Sequence, residues 1–140
     1  MPDPVRELIA NAPLFAGCSG DEIDSIATRA TTRSAALDET VCREGDDGGE
    51  CFVILDGRAK VTISGSPIAT LGPGDVFGEA SMLDCGPRVA TVSALTELHL
   101  LVLDASAFAA ALESPLLALR LIGTAGVRAR ANDLRGRRST

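Results

Sequence analysis

Aromatic residues and histidines are scarce in this sequence of 140 residues. It has no Trp and no Tyr, and its one His is His99, in the apolar segment ELHLLVL. Metal-dependent enzymes built on barrels hold their metal with several clustered ligands, normally histidines. No nucleophile motif and no paired carboxylates with a base are present either. We therefore interpret His99 as a strand residue and expect neither a metal site nor a catalytic site.

Positive charge and long apolar runs are also lacking. The formal net charge is -6, which disfavours extended nucleic-acid binding because phosphate contacts need a clustered positive field. No apolar run approaches the roughly 18 residues of a membrane span, and the amino terminus has no apolar stretch of signal-peptide length. We expect a cytoplasmic protein that contacts neither nucleic acid nor membrane. Five arginines near the end of the sequence are interpreted as a solvated helix end rather than as a contact for an acidic partner: Arg128, Arg130, Arg135, Arg137 and Arg138.

Cysteines are few, and no two of them form a CxxC pair. Cys18, Cys42, Cys51 and Cys85 are scattered along the chain, which indicates small reduced hydrophobic residues rather than a disulfide framework or a zinc site. Hydrophobic residues make up 46% of the sequence, so a core of Val, Leu, Ile and Ala is expected. The length predicts a single domain.

Helices are predicted towards both ends of the chain. Pro4–Asn11 and Ser19–Arg29 have helical spacing of apolar residues, and Ser19 is placed to cap the second of these helices. Near the other end, Asp104 can cap the segment ASAFAAALE, and Pro115 suits the first turn of a second helix. The helices therefore flank the middle of the chain.

The middle of the chain has the character of short strands and turns. β-branched runs there are punctuated by glycine, which is typical of β structure. The strands are predicted at 51–56, 58–64, 67–71, 88–94 and 97–103. Short strands at this spacing favour an eight-stranded jelly-roll barrel. Because the helices are segregated from the strands, the fold class is α+β.

The segment from Gly72 to Val92 carries the most specific pattern. Strand alternation places Arg88 on one face with Ala90, Val92 and Ala94, so the arginine is expected to be buried. A buried arginine needs a partner, either an internal carboxylate such as Glu79 or an incoming anion. On spacing alone the two alternatives are equal. The glycine beside Glu79 favours the anion, since an internal ion pair requires no bare backbone.

The segment FGEASMLDCGPRVATV resembles the phosphate-binding cassette of the cyclic-nucleotide-binding domain family. The family pattern is F-G-E, two small or apolar residues, a short variable stretch, then P-R-x-A-T-V. Upstream, REGDDGGECFVILDGRAKV is similar to the family's G-D…F-x-I-x-x-G-x-x-x-V segment. Bacterial nucleotide-gated channels and protein kinase A regulatory subunits have such cassettes. The resemblance covers nearly the whole chain and implies a non-catalytic sensor of cyclic nucleotides.

The resemblance also implies roles for individual residues. Glu79 would accept a hydrogen bond from the ribose 2′-hydroxyl, and Arg88 would pair with the exocyclic phosphate oxygens. The other positions implied for the phosphate site are Gly78, Ala80, Ser81, Val89 and Ala90. A cyclic phosphodiester carries one negative charge, so one arginine suffices.

The residues that would contact the base are indicated less specifically by the sequence than those of the phosphate site. Ile63 and Ala69 match the family's base pocket, and Val127 and Arg128 fall where the last helix would close as a lid. A solvent-facing Arg128 is the alternative. Family members commonly have Ala, Ser or Thr where this chain has Val89, and a threonine there favours cyclic GMP. Because valine cannot donate that bond, cyclic AMP is favoured over cyclic GMP.

These inferences define a single domain over residues 1–140 with four parts. They are N-terminal helices in 1–30, a β-barrel in 31–104 with the cassette in 77–92, C-terminal helices and lid in 105–131, and a basic tail in 132–140. The sequence ends with RANDLRGRRST at Thr140, and we therefore expect no helix-turn-helix module. We expect either a stand-alone sensor that acts on an unknown effector or a regulatory piece of a larger protein.

The rival hypothesis is a degenerate member of the family. In it Glu79 and Arg88 pair with each other, and the chain serves as an interaction or dimerisation module, for instance as a homodimer, without binding nucleotide. Titration with cyclic nucleotides discriminates between the two hypotheses.

Overall fold

Eight β-strands occupy the middle of the chain, with helices before and after them. The computed structural model describes residues 4–84 and 86–121. The helices before the barrel are α1 (Pro4–Asn11), a 3-10 helix (Pro13–Phe15) and α2 (Gly20–Ala27). The strands are β1 (Thr31–Ala35), β2 (Thr40–Cys42), β3 (Glu50–Asp56), β4 (Ala59–Ile63), β5 (Ser66–Leu71), β6 (Val76–Phe77), β7 (Thr91–Ala94) and β8 (Leu98–Asp104). A short helix α3 (Glu79–Asp84) interrupts them, and α4 (Ala105–Leu112) and a helical segment at 115–121 follow them.

The strands form two antiparallel sheets of four strands each. The orders are β1-β8-β3-β6 and β2-β7-β4-β5. Each sheet contains neighbouring strands that are distant in sequence, as expected in a jelly roll, where the chain crosses between the two sheets. The predicted α+β fold with an eight-stranded barrel is confirmed.

The strands β3 and β8 are buried on both faces, which explains their nearly continuous apolar sequences. Phe52 and Ile54 of β3 face the barrel interior, whereas Cys51 and Val53 face a second core formed with the helices. Strands covered on both sides have apolar runs rather than alternating patterns. We call the core between this sheet and the helices the helical cluster. It includes Ile9, Phe15, Ile26, Leu101, Leu103, Phe108, Leu117 and Leu121.

Capping residues fix the starts of two helices as predicted. Ser19 Oγ accepts a hydrogen bond from the Glu22 backbone N–H at 3.2 Å, and Glu22 Oε1 accepts one from the Ser19 N–H at 2.9 Å. This reciprocal pair is a capping box. At α4 the Asp104 carboxylate accepts a hydrogen bond from the Ala107 N–H at 2.9 Å. Each cap satisfies backbone donors that have no partner within the helix.

Four strand predictions hold to within one or two residues, at β3, β4, β5 and β8. The remaining prediction, at 88–94, starts too early: the observed strand β7 begins at Thr91. Residues 87 and 88 pair with the loop after β2 instead of with β4, and Ala90 forms a bend. The strands β1, β2 and β6 had no individual prediction. They are short or largely exposed, so they lack a clear apolar pattern.

Candidate functional site

One cavity of about 690 Å³, counted with its open mouth, lies between the second sheet and the segments that flank α3. One wall is apolar and lies on strands β4, β5 and β7, and the other carries the polar side chains. The lining residues are Cys42, Val61, Ile63, Ile68, Ala69, Leu71, Phe77, Gly78, Glu79, Ser81, Arg88, Val89, Ala90 and Val92.

The polar wall begins at a turn that only a glycine accommodates easily. Gly78 has φ +86° and directly precedes α3, so the chain reverses there and presents Glu79 at the start of the helix. Glu79 is 1% exposed and Ser81 is 3% exposed. The Ser81 hydroxyl donates a hydrogen bond to the Pro87 carbonyl at 3.2 Å. That bond ties α3 to the segment that carries Arg88.

Arg88 is buried, as the sequence predicted, and is only 9% exposed. Its Nη1 donates a hydrogen bond to the Gly78 carbonyl at 3.2 Å. The guanidinium carbon lies 5.7 Å from the centre of the Phe52 ring, which in turn stacks on Phe77 with 5.0 Å between ring centroids. A cation over an aromatic face is stabilised by the ring quadrupole. The charge is therefore fixed in place at the wall of the cavity.

The loop between β2 and β3 holds the backbone of Arg88. The Arg88 N–H donates to the Asp46 carbonyl at 2.8 Å, and the Gly45 N–H donates to the Arg88 carbonyl at 2.9 Å. Since residue 88 pairs with this loop and not with a regular strand, its burial does not come from strand alternation as predicted. The expectation of a buried arginine was right, but its stated cause was wrong.

The apolar wall is formed by alternate residues of two paired strands. Val61 and Ile63 of β4 and Ala69 and Leu71 of β5 line the cavity as alternate residues of their strands. Ile68 lines it as well, at the point where the register between β4 and β5 shifts. Ile63 and Ala69, which were predicted from the sequence to contact the base, both lie in this apolar wall. Val61 and Leu71 were missed although they are two positions away on the same strands. The period-2 pattern could have identified them.

Cys42 of β2 also lines the cavity, and no sequence signal pointed to it. Burial raises the pKa of its thiol to about 11, while the nearby Arg88 charge acts in the opposite direction. The thiol is therefore neutral at physiological pH. It adds no charge to the site, so Cys42 belongs with the apolar wall.

Eight of the predicted site residues line the cavity together: Gly78, Glu79, Ser81, Arg88, Val89, Ala90, Ile63 and Ala69. Ala80 lies within α3, and its side chain is outside the part of the chain that the structure describes. Val127 and Arg128, predicted for a lid, also lie outside the described residues. Two neighbours of Arg88 were not predicted from the sequence: Phe52, whose ring lies beneath the guanidinium, and Gly48, on which a Cβ atom would lie 3.2 Å from Arg88 Nε. Both lie far before Arg88 in the sequence, and only the fold brings them to it.

Two other features of the described residues concern other classes of function. His99 lies exposed on β8, with its Nε2 3.3 Å from a Glu97 carboxylate oxygen. Within 4–84 and 86–121, no group of three or more His, Cys, Asp or Glu residues could hold a metal ion. None of the helices in these ranges has both the length and the apolar character needed to cross a bilayer.

Comparison with known proteins places this architecture in a family. The family model for the cyclic nucleotide-binding domain matches residues 32–114. A cyclic nucleotide-gated potassium channel from Rhizobium etli is 36% identical over 102 residues, which are 73% of this chain and 28% of the channel. The chain thus spans less than a third of the length of that relative.

Solved structures agree with the fold. PKAR CBD2 bound to Sp-2Cl-cAMPS superposes with a TM-score of 0.78 at 22% identity, covering 96% of this chain and 95% of that one. A cAMP-binding acyltransferase from Mycobacterium smegmatis gives a TM-score of 0.69 at 28% identity, covering 84% of this chain and 39% of that one. The sequence match and the barrel with its buried cassette together identify this chain as a member of the cyclic nucleotide-binding domain family.

Proposed function

We propose that this chain is a non-catalytic sensor that binds 3′,5′-cyclic AMP in the described cavity. The observation that carries the proposal is the placement of two buried side chains of opposite charge, Glu79 and Arg88, on one wall of a cavity whose other wall is apolar. A cyclic nucleotide has the matching distribution of an anionic phosphate and a polar ribose at one end and a flat base at the other.

Arg88 is the proposed partner of the cyclic phosphate. The guanidinium presents several N–H donors in a planar fork, which suits two oxygens of one phosphate group. One donor is engaged by the Gly78 carbonyl, and the residue is held by the Phe52 ring. A group that is fixed before binding loses little conformational entropy when the ligand arrives.

Glu79 is the proposed acceptor for the ribose 2′-hydroxyl. It is 1% exposed and lies on the same wall as Arg88. A buried carboxylate is a strong hydrogen-bond acceptor, and a ligand without the 2′-hydroxyl donor would lose that charge-assisted bond. The site should therefore discriminate ribose from 2′-deoxyribose.

The apolar wall is the proposed contact for the base, and Val89 is the basis for preferring adenine. Val61, Ile63 and Leu71 offer a surface on which a purine face can pack. Val89 is 49% exposed at the cavity and has no hydroxyl to donate to a guanine.

Glu79 and Arg88 are the charged residues that line the cavity. Both are assigned to ligand binding in this proposal, which supports a sensor rather than a catalyst.

Met82 is the proposed route by which binding reaches the helices. Residues Glu79 and Ser81 of α3 line the cavity, while Met82 of the same helix packs against the helical cluster. A movement of α3 on binding would therefore reach the core in which Phe108 of α4 and Leu117 also pack. A sensor must have different ligand affinities in its two states, and a rigid helix shared by cavity and core provides such coupling. The relatives join such a domain to a channel or an acyltransferase, so the effector of this chain is a further domain or a separate protein.

Isothermal titration of the purified chain with cyclic AMP and cyclic GMP tests the binding proposal. We expect saturable binding with a preference for cyclic AMP. Absence of heat with either nucleotide at millimolar concentration would reject it and would favour the interaction module without nucleotide. Tighter binding of cyclic GMP would reject the stated selectivity alone.

Hydrogen exchange of the same protein tests transmission. Cyclic AMP should change the protection of peptides within Ala105–Leu112, because α4 packs in the core that Met82 contacts. The ligand should leave those peptides unchanged in the Met82→Ala variant if it still binds. Unchanged protection in the saturated wild-type chain would show that binding stays local.

A further inference from the structure

Two adjacent glycines in the loop between β2 and β3 have opposite surroundings. A Cβ atom built on Gly48 would overlap the Cβ of Ser81 and would lie 2.8 Å from Ser81 Oγ and 3.2 Å from Arg88 Nε. A Cβ built on Gly49 would meet no atom within 4 Å among the described residues. Neither glycine is among those with positive φ. The backbone therefore permits a side chain at both positions, and only the available space distinguishes them.

The contact at Gly48 lies within a set of interactions that join this loop to the cassette. The backbone of Arg88 exchanges hydrogen bonds with Gly45 and Asp46, and Asp47 forms an isolated bridge with Pro87. The loop thus cannot move away from residues 87 and 88 without losing these bonds. Atoms added at Gly48 would have to be accommodated by Ser81 and Arg88 themselves.

We propose that Gly48 is a positioning residue for the anion site, because its missing side chain provides the space in which Ser81 and the Arg88 guanidinium take their places. This inference rests on the proposed function, in which Arg88 binds the cyclic phosphate. It adds a residue well before the cassette in sequence that determines the geometry of the site without touching the ligand.

Substitution of each glycine by alanine tests the inference with a matched control. Gly48→Ala should weaken cyclic AMP binding at least about tenfold, since displacing a binding group by about 1 Å can cost on the order of a hundredfold. Gly49→Ala should bind within about twofold of the wild-type chain, because its added methyl group meets no atom of the described residues within 4 Å. Equal affinities of the two variants would overturn the inference.

A compensating variant distinguishes positioning from a general loss of stability. Gly48→Ala combined with Ser81→Gly adds a methyl group on one side of the contact and removes the Cβ and Oγ atoms of Ser81 on the other, so the overlap is relieved. Ser81→Gly alone measures the loss of the hydrogen bond to the Pro87 carbonyl. In that background Gly48→Ala should cost much less affinity for cyclic AMP than it costs in the wild-type chain, a non-additive result. If Gly48→Ala alone fails to fold, the double variant should fold and bind. An equal loss of affinity on adding Gly48→Ala in the two backgrounds, or a double variant that fails to fold although Ser81→Gly folds, contradicts the proposal.

The nuclear magnetic resonance signal of the Arg88 Nε–H group provides a readout that needs no ligand. Its shift in the free protein should change in Gly48→Ala and stay as in the wild-type chain in Gly49→Ala, with Arg88→Lys used for assignment. If the wild-type chain does not bind cyclic AMP, the proposed function fails, and this signal still decides whether Gly48 positions Arg88. An unchanged Nε–H signal in Gly48→Ala shows that it does not.

Discussion

The apolar wall of the cavity lies on regular, paired strands, whereas the polar wall is formed by the short helix α3 and by residues that pair with a loop. Val61, Ile63, Ala69 and Leu71 are placed by the alternation of β4 and β5. Arg88, in contrast, is placed by backbone bonds to residues 45 and 46 and by the Phe52 ring. The apolar wall has many equivalent members, and the polar wall has two charged groups without substitutes.

This difference predicts an unequal distribution of binding free energy. An apolar contact contributes in proportion to the area it buries, about 25 cal/mol per Å², so each residue of the apolar wall should contribute modestly. A charged group that pairs with a ligand charge and cannot be replaced should contribute several times more. The following variants measure the contrast.

Arg88→Ala should have the largest effect, a loss of cyclic AMP affinity of at least about a hundredfold, or about 3 kcal/mol, because it removes the cation that pairs with the phosphate. Titration calorimetry measures it, and Arg58→Ala, at an exposed arginine of the same chain, should bind like the wild-type chain. Unchanged affinity in Arg88→Ala would show that the phosphate lies elsewhere.

Glu79→Ala should have an intermediate effect that depends on the sugar. For cyclic AMP we expect a loss of about 1.5–3 kcal/mol, as for hydrogen bonds to charged groups. With 2′-deoxy cyclic AMP the wild-type chain and the variant should differ much less, since the donor is absent from the ligand. Equal losses with both nucleotides would exclude Glu79 as the ribose acceptor.

Ile63→Ala should reduce affinity only about three- to fivefold, or about 1 kcal/mol, which corresponds to the loss of part of one apolar contact. The same titration measures it. Lys60→Ala, on the same strand but exposed, serves as the control. A loss as large as that of Arg88→Ala would contradict the unequal distribution of binding free energy between the two walls.

Cys42→Ala should change cyclic AMP affinity at pH 7 by less than about twofold, because the thiol there is neutral. Its pH effect on stability has a definite sign. The pKa of the Cys42 thiol is raised to about 11 in the folded chain, so the folded state resists ionisation of the thiol. The neutral thiol therefore contributes to the free energy of unfolding below about pH 9, and this contribution is lost between pH 9 and 11. Urea unfolding at pH 7 and pH 10 should show a steeper fall of the free energy of unfolding for the wild-type chain. A difference between the two chains that is independent of pH would contradict this assignment.

The sequence predictions were accurate where the structure depends on neighbouring residues and less accurate where it depends on residues distant in sequence. Ser19 and Asp104 cap their helices as predicted, because a cap depends on residues three positions apart. Glu79 and Arg88 were found through the motif that contains both. Val61 and Leu71 were within reach of strand periodicity but were not named. The start of β7 was misplaced, since the pairing of residue 88 with residues 45 and 46 bridges more than forty positions and leaves no local pattern.

By itself the sequence determined the helices and their caps, the strands with strong apolar patterns, and the residue types of the polar wall, because these depend on near neighbours and on a short motif. Only the tertiary structure decided what surrounds those residues. It brought the Phe52 ring beneath Arg88, placed Gly48 against Ser81, and put Cys42 in the wall of the cavity. The physical reason is that packing and steric exclusion act between atoms that the fold brings together, whatever their separation along the chain.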